Sequence, residues 1–83
     1  MPINNMTKED LDYTVCEGEI LPDFGRVPAR GCVDETLVDT CVYTFTITST
    51  GEECGAIQPS SGDTLITIRS CGNISSGEGS CGA

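Results

Sequence analysis

Six cysteines (Cys16, Cys32, Cys41, Cys54, Cys71 and Cys81) constrain this 83-residue chain more than any other feature. They are separated by 15, 8, 12, 16 and 9 intervening residues, and the chain has no histidine. Structural zinc sites bring their ligands close along the chain, typically as Cys-x2–4-Cys, and often recruit histidine. Neither pattern is present. An even number of widely spaced cysteines in a short chain reads instead as a framework of disulfides. Pairing is open at this level, since six cysteines allow about fifteen connectivities. We expect Cys16–Cys41, and Cys71–Cys81 closing the C-terminal segment.

The bridges matter because apolar burial is limited. The chain has no Trp, two Phe, two Tyr and ten Gly. A chain of this size buries roughly two-thirds of the surface its unfolded form exposes, which leaves a marginal core. Each bridge closing a loop of ~15 residues adds about 3 kcal/mol in the chain-entropy model.

Alternation identifies the main structural segment. In Thr40–Ser49, Cys41, Tyr43, Phe45 and Ile47 fall on one face, and Val42, Thr44, Thr46 and Thr48 on the other. A period of two in β-branched and aromatic residues predicts a half-buried strand. Asp63–Cys71 is the expected partner strand, and Tyr13–Cys16 a further short β run. The threonine face is open to water or to another chain. Residues 17–31 and 51–62 read as loops, rich in Gly and Pro, with Cys54 tying down the second. Glu35–Val38 fits a helix or a strand. Residues 72–83 read as a flexible segment stapled by Cys81. Residues 1–11 read as a flexible N-terminal tail, in which Thr7 and Asp10 form at most one helical turn. The expected fold is therefore small, disulfide-rich and mainly β, with two or three antiparallel strands and long stapled loops. Residues 12–83 form its single domain.

Thirteen acidic residues against four basic ones give a net charge of −9. Phosphate backbones and anionic membranes require clustered Lys and Arg, so neither is an expected partner. A basic protein surface is. No run of 18 apolar residues is present to insert into a membrane. Met1–Asp12 lacks the basic start and apolar run of a secretory signal. The cysteines nevertheless call for an oxidising compartment, so the chain is expected to be a secreted mature form.

Catalysis has little to draw on. General acid–base and nucleophilic chemistry most often use histidine. The carboxylate groups, Glu17/Glu19, Asp34/Glu35 with Asp39, and Glu52/Glu53, lie on loop-like stretches and lack EF-hand spacing. We expect no enzyme, no cofactor and no metal. Phe24, Arg26 and Arg30 stand out as a binding patch, because an aromatic and two arginines on a constrained turn make a contact hot spot. Asn5-Met-Thr and Asn73-Ile-Ser are glycosylation sequons, at Asn5 and Asn73.

These features point to a secreted, non-enzymatic protein-binding module (a signal, inhibitor or toxin-like ligand) that presents loops on three disulfides. Two other readings fit the sequence. One is a structural subunit of an extracellular assembly, self-associating by strand pairing or intermolecular disulfides. The other is a leader-bearing precursor, in which residues 1–31 guide modification of a Ser/Thr/Cys-rich remainder.

Overall fold

Side-chain alternation sets which face of each strand is buried. The computed structural model describes residues 2–16, 23–34 and 41–81. Their strands are β1 (Pro2–Asn5), β2 (Leu11–Val15), β3 (Asp23–Val27), β4 (Cys32–Asp34), β5 (Tyr43–Ile47), β6 (Glu53–Ile57), β7 (Leu65–Ser70) and β8 (Asn73–Gly77). They form two four-stranded sheets, in the orders β4-β1-β7-β8 and β3-β2-β5-β6. We call these sheet A and sheet B. All pairings are antiparallel except β1 with β7.

One core joins the sheets. Sheet A contributes Ile3, Ile66 and Ile68; sheet B contributes Leu11, Tyr13, Val15, Val27, Tyr43, Phe45 and Cys54. Tyr13 and Phe45 pack with ring centroids 6.2 Å apart in a tilted arrangement, a favourable geometry for two quadrupoles. The fold is small, mainly β and held by three disulfides, as the sequence predicts. It has more strands than the two or three expected, in two layers.

Several expectations change. Within the stretch read as a tail, residues 2–11 are ordered into the fold: β1 lies inside sheet A, with Ile3 and Asn5 both 0% exposed, and Leu11 opens β2. Thr7–Asp10 forms a corner rather than a helical turn. The segment 63–71 does supply β7, but β7 belongs to sheet A, and β5 pairs with β2 and β6 instead. The stretches read as loops, 17–31 and 51–62, contain β3 and β6, and the 72–83 segment contains β8. Glu35–Val38 lies outside the described residues.

The chain passes between the sheets at β1–β2, β3–β4, β4–β5 and β6–β7, and the first two passages are corners that lie together. Met6–Asp10 links β1 to β2, and Pro28–Gly31 links β3 to β4. The corners are bonded to each other: Asn5 N–H donates to Gly31 O at 2.8 Å, and Arg30 N–H donates to Thr7 O at 3.1 Å. Ala29 N–H donates to Asp10 Oδ1 at 2.8 Å. The two bent strands therefore cross from sheet A to sheet B as a pair.

The opposite side is latched by sulfur. Cys54 on β6 bonds to Cys71 in the β7–β8 turn, with Cα atoms 4.5 Å apart. Gly72 N–H donates to Cys54 O at 2.9 Å beside the bridge. The expected Cys16–Cys41 bridge is present, with Cα atoms 4.7 Å apart. The expected Cys71–Cys81 bridge is not. Cys81 bonds instead to Cys32 on β4, across 49 positions of sequence. The reason is topological: β4 and β8 are the two edges of sheet A. The segment after β8 packs Gly79 against Leu65 of β7 on its way to β4.

Candidate functional site

The outer face of sheet B gathers two of the three residues singled out for binding. In the register of β2 with β3, Asp12 stands opposite Arg26 and Thr14 opposite Phe24. In the register of β2 with β5, Asp12 stands opposite Thr46 and Thr14 opposite Thr44. Neighbouring positions 11, 13 and 15 point inward and are buried, so these side chains share the outward face.

Phe24 is 78% exposed, whereas the other three aromatics are 5% exposed or less. Beside it, Arg26 Nε donates to Asp12 Oδ1 at 2.7 Å. Thr48 Oγ1 donates to the same oxygen at 3.0 Å. The Arg26 hydrogen bond, helped by that of Thr48 and by the guanidinium charge, holds the Asp12 carboxyl below its ordinary range and keeps it ionised. Asp12 in turn raises the Arg26 pKa. Phe24, Arg26 and Asp12, together with Thr14, Thr46 and the intervening backbone, line a groove of about 610 Å³.

Gly25 makes this arrangement possible. It sits between Phe24 and Arg26 with its inward side against Tyr13, where an added Cβ would lie 2.6 Å from Tyr13 Oη. Only glycine lets the Tyr13 ring close the core under this edge strand. The outer face can then carry an aromatic and an ion pair on a flat, fixed backbone.

Arg30 stands elsewhere. It lies in the corner after β3 with φ 57°, lining a separate groove of about 360 Å³ with Asn4, Asn5 and Met6. The predicted patch therefore divides into Phe24 with Arg26, and Arg30 alone. Sequence reasoning missed Asp12, because it fell at the boundary of the supposed tail. The threonine alternation was its one available signal, since it put Thr46 and Thr48 on the face that Asp12 joins.

The sequons also divide. Asn5 is 0% exposed. Its Nδ2 lies 2.8, 3.1 and 3.3 Å from Glu9 O, Pro28 O and Val27 O. Its Oδ1 accepts from Thr7 N–H at 2.9 Å. A glycan on this nitrogen is incompatible with the fold, which corrects the expectation at Asn5. Asn73 is exposed at the start of β8, directly after Gly72 at φ 82°.

All six cysteines are paired. Of the carboxylates weighed for chemistry, Glu52, Glu53 and Asp34 are exposed, while Glu17, Glu19, Glu35 and Asp39 lie outside the described residues. Among the described residues, no helix is long and apolar enough to cross a membrane. No protein-family model matches the chain, and no curated protein or solved structure matches it either.

Proposed function

We propose that this chain is an extracellular, non-enzymatic binding module that contacts a protein partner through the outer face of sheet B. The observation that carries the reading is Phe24. A fold that encloses its other three aromatics leaves this one 78% exposed, next to an arginine and above a groove. Exposed aromatics and arginines on a rigid support are the residues that dominate binding energy at protein interfaces. A preorganised sheet also lowers the ordering cost of association. The contact is thus made by a strand face rather than by loops. The net charge of −9 favours a partner with a basic surface. Three disulfides in so small a domain favour an oxidising, extracellular setting.

The precursor reading has less support. Residues 1–31 supply Ile3, Leu11, Tyr13, Val15 and Val27 to the core, which is not the position of a removable leader.

Site-directed photo-crosslinking tests the proposal. A benzoylphenylalanine replacing Phe24 should form a discrete adduct with a basic extracellular protein from the same source. One replacing Thr67, on the outer face of sheet A, should not. Unlabelled wild-type chain should compete the adduct away, and Phe24→Ala chain should not. Equal adducts at both positions, or adducts that resist competition, would overturn it.

A further inference from the structure

Residues 1–15 contain no cysteine, and all three bridges join positions from Cys16 onward. β1 nevertheless occupies an interior position of sheet A. It is antiparallel to β4, with Ile3 opposite Val33, and parallel to β7, with Ile3 opposite Ile66. We propose that β1 is an exchangeable strand, and that the slot between β4 and β7 accepts residues 2–5 of a second copy of this chain in place of its own. This surface is separate from the Phe24 face, and the inference does not depend on that reading.

The slot is held open by covalent structure. Cys32 on β4 is bonded to Cys81, which follows β8, and β8 is paired to β7. The intervening segment is fixed by reciprocal bonds. Thr64 Oγ1 donates to Gly79 O at 3.0 Å, and Gly79 N–H donates to Thr64 Oγ1 at 2.8 Å. The two flanks of β1 thus remain linked to each other when β1 is withdrawn. No sulfur bridge has to break for β1 to leave.

The slot also selects what enters. Position 3 must be apolar, since Ile3 is 0% exposed beside Ile66 and Ile68. Position 5 must be an amide, since Asn5 Nδ2 reaches Val27 O and Pro28 O. A strand of this pattern is found in every copy of the chain. An empty slot exposes core and leaves those carbonyls unsatisfied, so it is filled by one copy or another.

Exchange remakes between chains the pairing of residues 2–5 with β4 and β7 and the reach of Asn5 to Val27 O and Pro28 O, while bonds within the Met6–Asp10 hinge, such as that of Asn5 to Glu9 O, open. Concentration therefore decides the balance. The Met6–Asp10 corner is short, so a chain's own β1 competes at an effective concentration in the mM range. Exchange is favoured where copies are crowded or tethered side by side. Two copies of net charge −9 repel, and that repulsion reaches ~30 Å at 0.01 M salt but only ~8 Å at 0.15 M. Exchange should therefore rise with ionic strength.

The test uses the full chain with its disulfides intact. Benzoylphenylalanine replaces Asn4, which is half-buried on the outward side of β1. Isotopically heavy and light populations are mixed at about 10 µM and about 1 mM, loosened in mild urea, returned to buffer and irradiated. The expected product is a heavy–light dimer joined from position 4 of one copy to β4 or β7 of the other. Its share should rise at least tenfold across that concentration range. Only intrachain adducts at 1 mM, or interchain adducts mapping elsewhere, would overturn the proposal. Unlabelled wild-type chain guards against a folding defect in the variant. After the same treatment it should sediment partly as a dimer that persists on dilution and reverts in urea without reductant. A dimer that needs reductant to separate, or no dimer at all, overturns the proposal equally.

Discussion

At the scale of single residues, Asn5 determines how the chain turns between sheets. One planar amide serves both corners: its nitrogen faces carbonyls of Glu9, Val27 and Pro28, and its oxygen holds Thr7. No other side chain of similar size offers both donors and an acceptor in this arrangement. Asn5→Ala should therefore destabilise by about 2–4 kcal/mol in urea unfolding, because buried carbonyls lose their partners. Asn5→Asp should be worse at neutral pH than in acid, since its charged form presents oxygen to oxygen. Among the described residues, Asp63 and Asp12 are the carboxylates held below their ordinary range, and both contribute to the acid response. Ser76 Oγ and the Ser60 N–H donate to Asp63 at 2.6 and 2.8 Å, and the Ser76 bond is the main cause of its lowered pKa. Asp12 is lowered chiefly by Arg26. Because both values are depressed in the folded state, the stabilisation is present above the unfolded value of about 3.9 and lost as pH falls through the folded ones. The slope should be shallow, as both groups are open to water. The double variant Asp12→Asn, Asp63→Asn should flatten the stability profile between about pH 5 and about pH 2, as read by thermal melts.

At the scale of elements, β3 shows how a strand can be hidden in sequence. Asp-Phe-Gly-Arg-Val carries a central glycine and precedes Pro28, so it reads as turn. It is a strand because Tyr13 covers Gly25 from the neighbouring β2, supplying the packing that glycine lacks. Gly25→Ala should force the ring aside and cost about 1–3 kcal/mol. Urea midpoints, with tyrosine fluorescence reporting ring displacement, would check this. By contrast, β5 was legible from its alternation, with Tyr43 and Phe45 fully buried, and so was β7 from Ile66 and Ile68. What those patterns lacked was partner information. A half-buried strand announces that it has an inner face, not which sheet it joins. β1 and β8 were invisible for a different reason. Pro-Ile-Asn-Asn and Asn-Ile-Ser-Ser-Gly each hold one apolar residue, so neither has a period to detect. Tertiary bonding holds them in place: Met6 N–H to Ile68 O at 2.9 Å, and Thr64 N–H to Gly77 O at 2.8 Å. The candidate site was legible to the same extent. Phe24 and Arg26 stood out by composition, but Asp12 and Thr46 joined them only through a register that no single segment encodes.

At the scale of the whole molecule, the three bridges have different tasks. Cys16–Cys41 ties β2 to the entry of β5 within sheet B; Cys32–Cys81 spans sheet A from edge to edge; Cys54–Cys71 joins the two sheets along the β6–β8 side. Native chain should gain no mass on alkylation without reductant, since no cysteine is free. In the chain-entropy model, loops of 25, 49 and 17 residues give about 3.5, 4 and 3 kcal/mol respectively. Their total is comparable to the net stability of an ordinary domain, about 5–15 kcal/mol, so full reduction should abolish the cooperative melt. The logarithm leaves only about 1 kcal/mol between the largest and smallest loops, so burial should decide the order of individual losses. Cys54 is 3% exposed and part of the core cluster, whereas Cys32 and Cys81 are half-buried. Replacing the buried Cys54 by Ala leaves a void between the sheets in addition to the lost cross-link, while its exposed partner Cys71 adds none. The Cys54→Ala, Cys71→Ala pair should therefore lower the urea midpoint at least as far as Cys32→Ala, Cys81→Ala, although its loop is the shortest. A ranking that followed loop length alone would mean that the sheets do not depend on this latch to stay packed.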